Sequence, residues 1–129
     1  MSNGLRLAKQ AAHLKALTLL ELVLQLHGEF RRSLEPIRMT PLQAGVILYL
    51  QRHMDAKLTD AAATLRVAQP TLSEVVKDLV RKRWVIKRRL LTDTRAVSLA
   101  LSRQGQALAR RIKGHVRDVG RDLTPRKEA

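Results

Sequence analysis

The sequence contains no cysteine, and this absence excludes several classes of protein at once. Without thiols the chain cannot form disulfides, thiolate metal centres or thiol-based redox sensors. Aromatic residues are scarce as well, since Phe30, Tyr49 and Trp84 are the only three. Few side chains are therefore available to line a pocket for an aromatic ligand. Whether a small-molecule effector binds, and through which residues, is left open by the sequence.

Long apolar runs and catalytic motifs are also missing. The longest apolar stretch, residues 16–26, is interrupted by Thr18, Glu21 and Gln25, and it is shorter than the ~20 residues that span a bilayer. There is no Gly-rich phosphate loop, serine elbow or carboxylate cluster, and the 4 histidines are scattered. These absences argue against catalysis and against a metal site. We expect a non-enzyme without a cofactor, located in the cytoplasm and associated with the nucleoid.

Positive charge is what the chain has in excess. Lysine and arginine number 25 against 11 acidic residues, which gives a formal net charge of +14 at pH 7. Such an excess makes a compact monomer repel itself and attracts it to polyanions. The basic residues concentrate at 81–95 and 103–127, not along one face of an isolated amphipathic helix, so nucleic acid is favoured over a membrane as the partner. At 129 residues, the chain is expected to form a single domain.

The hydrophobic periodicity predicts a mainly α-helical fold with a small β-hairpin. A long first helix over residues 5–35 has two apolar stripes, one through Leu20 and Leu24 and another through Leu19 and Val23. A helix that is apolar on two sides is usually buried against its own domain and against a partner subunit. We therefore expect a homodimer, with residues 5–35 and a last helix over residues 102–120, capped by Ser102, as dimerisation helices. Residues 121–129 are expected to form a flexible tail.

Residues 40–101 predict a compact lobe between the two dimerisation helices. Thr40-Pro41-Leu42-Gln43 predicts a capping box at the start of a helix that ends near His53. A short helix over residues 58–66 follows, begun by Thr59 or a residue just before it. Another helix is predicted from Gln69 to about Lys82. Two strands, residues 84–89 and 96–101, then flank a polar turn.

Within this lobe, residues 58–77 have the pattern of a helix-turn-helix. Its two helices cross closely, which Ala61 and Ala62 permit, while Leu72 and Val75 pack the second helix on the first. The N-terminal end of the second helix is where such motifs meet base edges in the major groove of double-stranded DNA. The candidates for reading bases there are Gln69, Pro70, Thr71 and Ser73.

The hairpin that follows has the composition of a basic wing. Its segment 87–95 is rich in basic residues and carries one acid, Asp93, two residues before Arg95. We expect Arg95 to enter the minor groove and Asp93 to orient its guanidinium by hydrogen bonding. Contacts to phosphates set affinity and position, not sequence choice. The candidates for such contacts are Lys77, Arg81, Lys87, Arg88 and Arg89.

Five segments together resemble the MarR family of bacterial transcriptional regulators, over residues 39–112. They are Thr40-Pro41-Leu42-Gln43, Gln69-Pro70-Thr71-Leu72-Ser73, Trp84-Val85-Ile86-Lys87-Arg88, Asp93-Thr94-Arg95 and Leu101-Ser102-Arg103-Gln104-Gly105. The resemblance implies a winged helix-turn-helix homodimer, held by its N- and C-terminal helices, that binds a pseudo-palindromic operator and usually represses nearby genes. Two positions depart from the family pattern. Arg66 stands where glycine often makes the turn, and Ala68 stands where a capping serine is common.

Two other functions stay open beside sequence-specific regulation. A basic architectural or non-specific nucleic-acid-binding protein would use the net charge of +14 and little else. Alternatively, the terminal helices bind another protein, and the lobe anchors that complex to DNA. Sequence-specific binding is favoured, because a binder that works by charge alone does not need an ordered helix entry at residues 69–73 or an acid placed in its wing.

Overall fold

The computed structural model describes the backbone of residues 2–90 and 93–121, and the side chains of residues 16, 18–89 and 97–121. Its elements, in chain order, are α1 (Ser2–Leu34), a 3-10 turn (Glu35–Ile37), α2 (Pro41–Arg52), β1 (Ala56–Lys57), α3 (Leu58–Leu65), α4 (Gln69–Arg81), β2 (Val85–Leu90), β3 (Asp93–Leu101) and α5 (Arg103–Val116). The predicted fold class, mainly α-helical with a small β wing on a helix-turn-helix, is confirmed. The tail over residues 122–129 lies outside the described residues.

The sheet has three strands, not the two of a simple hairpin. Its order is β1-β3-β2, with both pairs antiparallel. In β1, Ala56 pairs with Leu99 and Lys57 pairs with Ser98. The sequence does not predict β1, because two residues between a turn and a helix are too few for an alternating pattern. The consequence is that β3 is the central strand, so the base of the wing is held at both edges.

The side-chain caps predicted at Thr40 and Ser102 are confirmed. Thr40 Oγ1 accepts a hydrogen bond from the Gln43 amide at 3.1 Å, and Gln43 Oε1 accepts one from the Thr40 amide at 3.0 Å. Ser102 Oγ likewise accepts from the Gly105 amide at 3.0 Å, at the start of α5. These side chains satisfy amides that have no partner within the helix.

The predicted start of α3 at residue 58 is confirmed, but Thr59 is not its cap. The cap position is Lys57, and no side chain caps this helix. Residues 56 and 57 are held in an extended conformation by pairing with β3, so the helix begins where the strand ends. The last helix is also shorter than predicted, since α5 ends at Val116.

One cluster of buried side chains joins all five helices and the sheet, with Leu34 as the contribution of α1. Further back along α1, the apolar residues have no cover. Leu19, Leu20, Val23 and Leu24 are 55%, 60%, 56% and 65% exposed. Leu19 and Val23 lie on the same helical stripe as Phe30 and Leu34, which contact α2 and α5. The stripe is thus covered by the chain itself only at its C-terminal end.

Candidate nucleic-acid interface

The close crossing of α3 and α4 depends on small side chains. Ala61 and Ala62 are buried on α3, and α4 contributes Leu72, Val76 and Leu79, each almost completely buried. An alanine has no side-chain atoms beyond Cβ, so the two helix backbones can approach closely. This burial fixes which face of α4 is turned inward and leaves the opposite face to solvent.

The turn between the two helices carries both departures that the sequence indicated. Arg66 has φ 57° and ψ 45°, the left-handed conformation, which costs an L-residue about 1–2 kcal/mol. Its amide donates to the Ala63 carbonyl at 3.3 Å, and the Val67 amide donates to that of Ala62 at 3.0 Å. Ala68 is the N-cap of α4 and offers no side-chain hydrogen bond. The first turn of α4 therefore has no side-chain cap at its N-cap position.

The candidate base-reading residues lie at the start of α4. Gln69, Pro70 and Thr71 are exposed, whereas Ser73 is half-buried. Of the four, Ser73 is thus the least accessible to a ligand approaching from solvent. The sequence alone could not give this difference, since it depends on how α4 rotates against α3.

The candidate phosphate-contacting residues on α4 are also exposed. Lys77 Nζ lies 3.3 Å from Glu74 Oε1, one turn earlier on the same helix. Both side chains are more than half exposed, so the pair is weak and free to rearrange. Arg81 is exposed at the last residue of α4.

The three basic residues of β2 do not all point the same way. Lys87 pairs with Leu99, Arg88 with Ser98 and Arg89 with Val97. Because side chains alternate along a strand, Lys87 and Arg89 share one face of the sheet and Arg88 lies on the other. Arg88 Nη1 is 3.7 Å from Asp55 Oδ1, in the turn before β1. This pair reaches across the central strand, so no local sequence signal could predict it.

The tip of the wing is described only in its backbone. Strand β3 begins at Asp93, which pairs with Leu90, and the register shifts between Arg89 and Leu90. Residues 91 and 92 and the side chains of residues 90–96 lie outside the described part of the chain. The predicted contact between Asp93 and Arg95 therefore also lies outside it.

A polar network that the sequence did not reveal connects α4 to its neighbours. Gln43 Nε2 on α2 donates to Asp78 Oδ2 at 3.3 Å. The same oxygen lies 3.1 Å from Lys82 Nζ, which stands 5.4 Å from the centre of the Trp84 ring. The capping-box pattern located Gln43, but nothing local indicated that its amide also contacts Asp78, 35 residues away.

The junction between α4, β2 and α5 is tightly bonded. Ser102 Oγ donates to the Arg83 carbonyl at 2.6 Å, and the Ser102 amide donates to the Trp84 carbonyl at 3.0 Å. Gly105 packs so closely on Trp84 that a Cβ atom there would overlap the Trp84 carbonyl oxygen. Arg83 itself is left-handed, with φ 65°. This junction sets the direction in which β2, the first strand of the wing, leaves α4.

An apolar cavity of about 270 Å³ lies where α1, α2 and α5 meet. Its lining includes Phe30, Leu34, Leu48 and Ile112, so one of the three aromatic residues borders it. Among the residues that the structure describes, no group of three or more His, Cys, Asp or Glu side chains could hold a metal ion. In the same part of the chain, no helix has the length and apolarity needed to cross a membrane.

Comparisons with known proteins point to one family. The family model described as MarR family matches residues 39–96, whereas curated protein sequences give no match. A solved structure of the transcriptional repressor CouR, bound to a DNA duplex, is 25% identical with a TM-score of 0.77, covering 87% of this chain and 79% of that one. A mutant MarR from E. coli with operator DNA is 24% identical, with a TM-score of 0.77 and coverages of 87% and 81%.

A MarR transcriptional regulator from Methanosarcina mazei Go1 has the same fold at lower sequence identity. It is 17% identical to this chain, with a TM-score of 0.79 and coverages of 91% and 84%. The likeness to this structure therefore extends beyond the residues that the family model matches.

Proposed function

We propose that this chain, whose residues 39–96 match the family model described as MarR family, is a sequence-specific regulator that binds double-stranded DNA as a homodimer. The operator is a pseudo-palindrome, and binding represses the genes next to it. The observation that carries this proposal is the exposed, polar first turn of α4 in a lobe that also carries the basic strand β2. The two DNA-bound relatives, a repressor and a MarR protein, support it. The protein acts in the cytoplasm, at the nucleoid, and has no catalytic role.

In this proposal, Gln69, Pro70, Thr71 and Ser73 meet base edges in the major groove. The first turn of α4 has no side-chain cap, and a helix N-terminus with unpaired amides favours a negative charge. A backbone phosphate at the edge of the groove supplies that charge. The binding mode that places Thr71 against the bases thus also supplies an acceptor for the uncapped amides at the start of α4.

The wing and the flank of α4 supply the phosphate contacts. Lys77, Arg81, Lys87, Arg88 and Arg89 are the proposed contacts, and all five are exposed. Arg88 and Lys77 each have an acidic neighbour. A DNA phosphate must therefore either displace that carboxylate or bind the same basic side chain beside it. Arg95 enters the minor groove, oriented by Asp93.

The homodimer is supported by the uncovered apolar face of α1, formed by Leu19, Leu20, Val23 and Leu24. Contiguous exposed apolar residues on a helix indicate an interface. Glu29 also supports an interface, because its Oε2 atom is buried and has no hydrogen-bond partner among the described residues. Such a group requires a partner, and a cation from the second subunit would supply one.

The exposed face of α5 favours α1 as the main contact. It carries Arg103, Arg110, Arg111, Lys113 and Arg117. Two copies of so basic a surface repel each other at close range. We therefore expect residues 102–120 of one subunit to contact α1 of the other subunit, which carries the acidic residues Glu21 and Glu29.

Selection from a pool of DNA duplexes with a randomised centre tests the proposal. The wild-type protein should enrich an inverted repeat whose half-sites lie about one helical turn, ~10 base pairs, apart. Thr71→Ala should then weaken binding to the selected duplex by about 1–3 kcal/mol and leave a scrambled duplex unaffected. Arg81→Ala should weaken both equally. A pool that shows no enriched sequence would favour the non-specific architectural protein instead.

A further inference from the structure

Asp78 lies on the flank of α4 that also carries Thr71. The two residues are seven positions apart, which is close to two turns of helix, so their side chains leave the helix in nearly the same direction. A contact that fixes the direction of Asp78 therefore also fixes the direction of Thr71. The contact of Asp78 is with Gln43 on α2, at 3.3 Å.

The Gln43 amide is held at both ends. Its oxygen accepts from the Thr40 amide at 3.0 Å, and its nitrogen donates to Asp78. The first bond belongs to the capping box of α2, so the donor that Asp78 meets is already oriented. An oriented donor loses little side-chain freedom when it forms a hydrogen bond.

The apolar contacts of α4 fix which face of the helix is buried, but they define its exact rotation less sharply than a directional bond does. Leu72 and Leu79 bury the helix in the core, but apolar attraction has no preferred direction. A hydrogen bond weakens steeply when its geometry changes. Among the side-chain hydrogen bonds described for α4, the bond between Gln43 and Asp78 is the one that reaches another element. Lys82 extends this connection from the same carboxylate to Trp84, at the entry to β2.

We infer that Asp78 is a positioning residue for DNA recognition, which orients α4 on α2 so that Thr71 reaches its base at the correct angle. Asp78 does not itself touch DNA. The inference rests on the proposed function and names a residue that neither the family resemblance nor the base-reading candidates include. Contacts to base edges need geometry accurate to about 0.5 Å, so a small rotation of α4 should affect sequence choice before it affects attraction to phosphates.

The first test compares Asp78→Ala with Glu74→Ala. Both variants remove one negative charge from α4, but the partner of Glu74 among the described residues is Lys77, on its own helix. The probes are the duplex selected by the wild-type protein and a scrambled duplex of the same length. Glu74→Ala should bind both probes more tightly and keep the wild-type affinity ratio. Asp78→Ala should bind the scrambled probe more tightly yet lose about tenfold in the ratio of selected to scrambled affinity.

A second pair of variants separates this bond from the helix cap. Gln43→Met removes both the cap and the contact to Asp78, whereas Thr40→Val removes only the Thr40 hydroxyl from the cap. Gln43→Met should lose the affinity ratio by about the same factor as Asp78→Ala, and the double variant should lose no more than either. Thr40→Val should keep the ratio. Thermal unfolding followed by circular dichroism establishes that each variant is folded.

The outcomes are distinguishable. A wild-type protein that does not discriminate between the probes contradicts the proposed function itself. A wild-type protein that discriminates, with an unchanged ratio in Asp78→Ala and in Gln43→Met, overturns only the positioning role. If Asp78→Ala does not fold, Gln43→Met and its control Thr40→Val decide the question, because both retain the carboxylate.

Discussion

Four residues other than glycine adopt the left-handed conformation in the described part of the chain: Arg38, Asp55, Arg66 and Arg83. Each lies where one element ends and the next begins. At the three arginines the strained backbone is held by a hydrogen bond from the residue's own amide to the preceding helical turn; at Arg66, for example, the amide donates to the Ala63 carbonyl of α3. Three of the four are arginines, and each is exposed, so the side chain extends into solvent without disturbing the core.

Replacing Arg66 by glycine should therefore stabilise the protein. Glycine removes the left-handed penalty of about 1–2 kcal/mol, and its greater freedom in the unfolded chain offsets part of this gain. We expect the free energy of unfolding in urea to rise by about 0.5–1 kcal/mol. Arg66→Ala is the control, because it removes the side chain and keeps the strain; it should give no increase. Equal stabilisation by both variants would assign the effect to charge instead of backbone conformation.

A substitution at Gly105 should lower the free energy of unfolding. A methyl group at this position would overlap the Trp84 carbonyl oxygen, which accepts the Ser102 amide. Gly105→Ala must therefore move α5 away from the entry to β2, at a cost of about 1–3 kcal/mol in unfolding free energy.

Gly114 provides the matched control on the same helix. Nothing lies within 4 Å of a Cβ atom added there, so Gly114→Ala should stabilise the protein by up to about 1 kcal/mol through helix propensity. Urea unfolding of both variants measures the contrast. If both substitutions changed the free energy of unfolding in the same direction, the close approach at Gly105 would not limit the packing of α5.

At the scale of elements, local patterns predicted what depends on neighbours in sequence. The capping residues Thr40 and Ser102 were found because their partners lie three positions away. The pairing of Arg88 with Asp55 could not be found, because it requires the strand order β1-β3-β2. The same holds for Asp78, whose partner is on another helix. Sequence therefore locates the recognition helix and the wing, and tertiary structure determines how they are aimed.

The wing offers a test in which two physical effects have opposite signs. Arg95→Ala should strongly weaken binding to the selected duplex without unfolding the protein. Asp93→Ala should weaken it too, though less, since an arginine without its acid must lose more freedom on binding. Attraction between net charges alone requires the reverse, because the removal of Asp93 makes the chain more basic. Titrations against selected and scrambled duplexes at two salt concentrations measure the sign, and tighter binding by Asp93→Ala would contradict an ordered wing.

At the scale of the whole molecule, charge and apolar surface act against each other. A net charge of +14 draws the protein to DNA but opposes association of two copies. In the proposed dimer the association must therefore come from apolar contact, for which Leu19, Leu20, Val23 and Leu24 on α1 are exposed. Added salt should consequently strengthen the dimer, by screening repulsion, while it weakens binding to DNA.

The dimer predicts a specific response to a buried charge on α1. The variants Leu20→Glu and Leu24→Glu should each fail to form the proposed dimer, because an unpaired carboxylate at an apolar contact is costly to desolvate. Gln25→Glu adds the same charge to an exposed position of the same helix, away from the stripe of Leu20 and Leu24, and should leave the dimer intact. Sedimentation equilibrium at micromolar concentration measures all four proteins.

Binding to DNA should follow the oligomeric state. A dimer engages two half-sites at once, so dissociation loses the second contact and the high local concentration that accompanies the first. Leu20→Glu should thus bind an intact operator no more tightly than a single half-site, whereas Gln25→Glu should keep the advantage of the full operator. A wild-type protein that sediments as a folded monomer would contradict the dimer. Monomeric Leu20→Glu with undiminished operator affinity would show that one lobe is sufficient for recognition and that α1 serves another purpose.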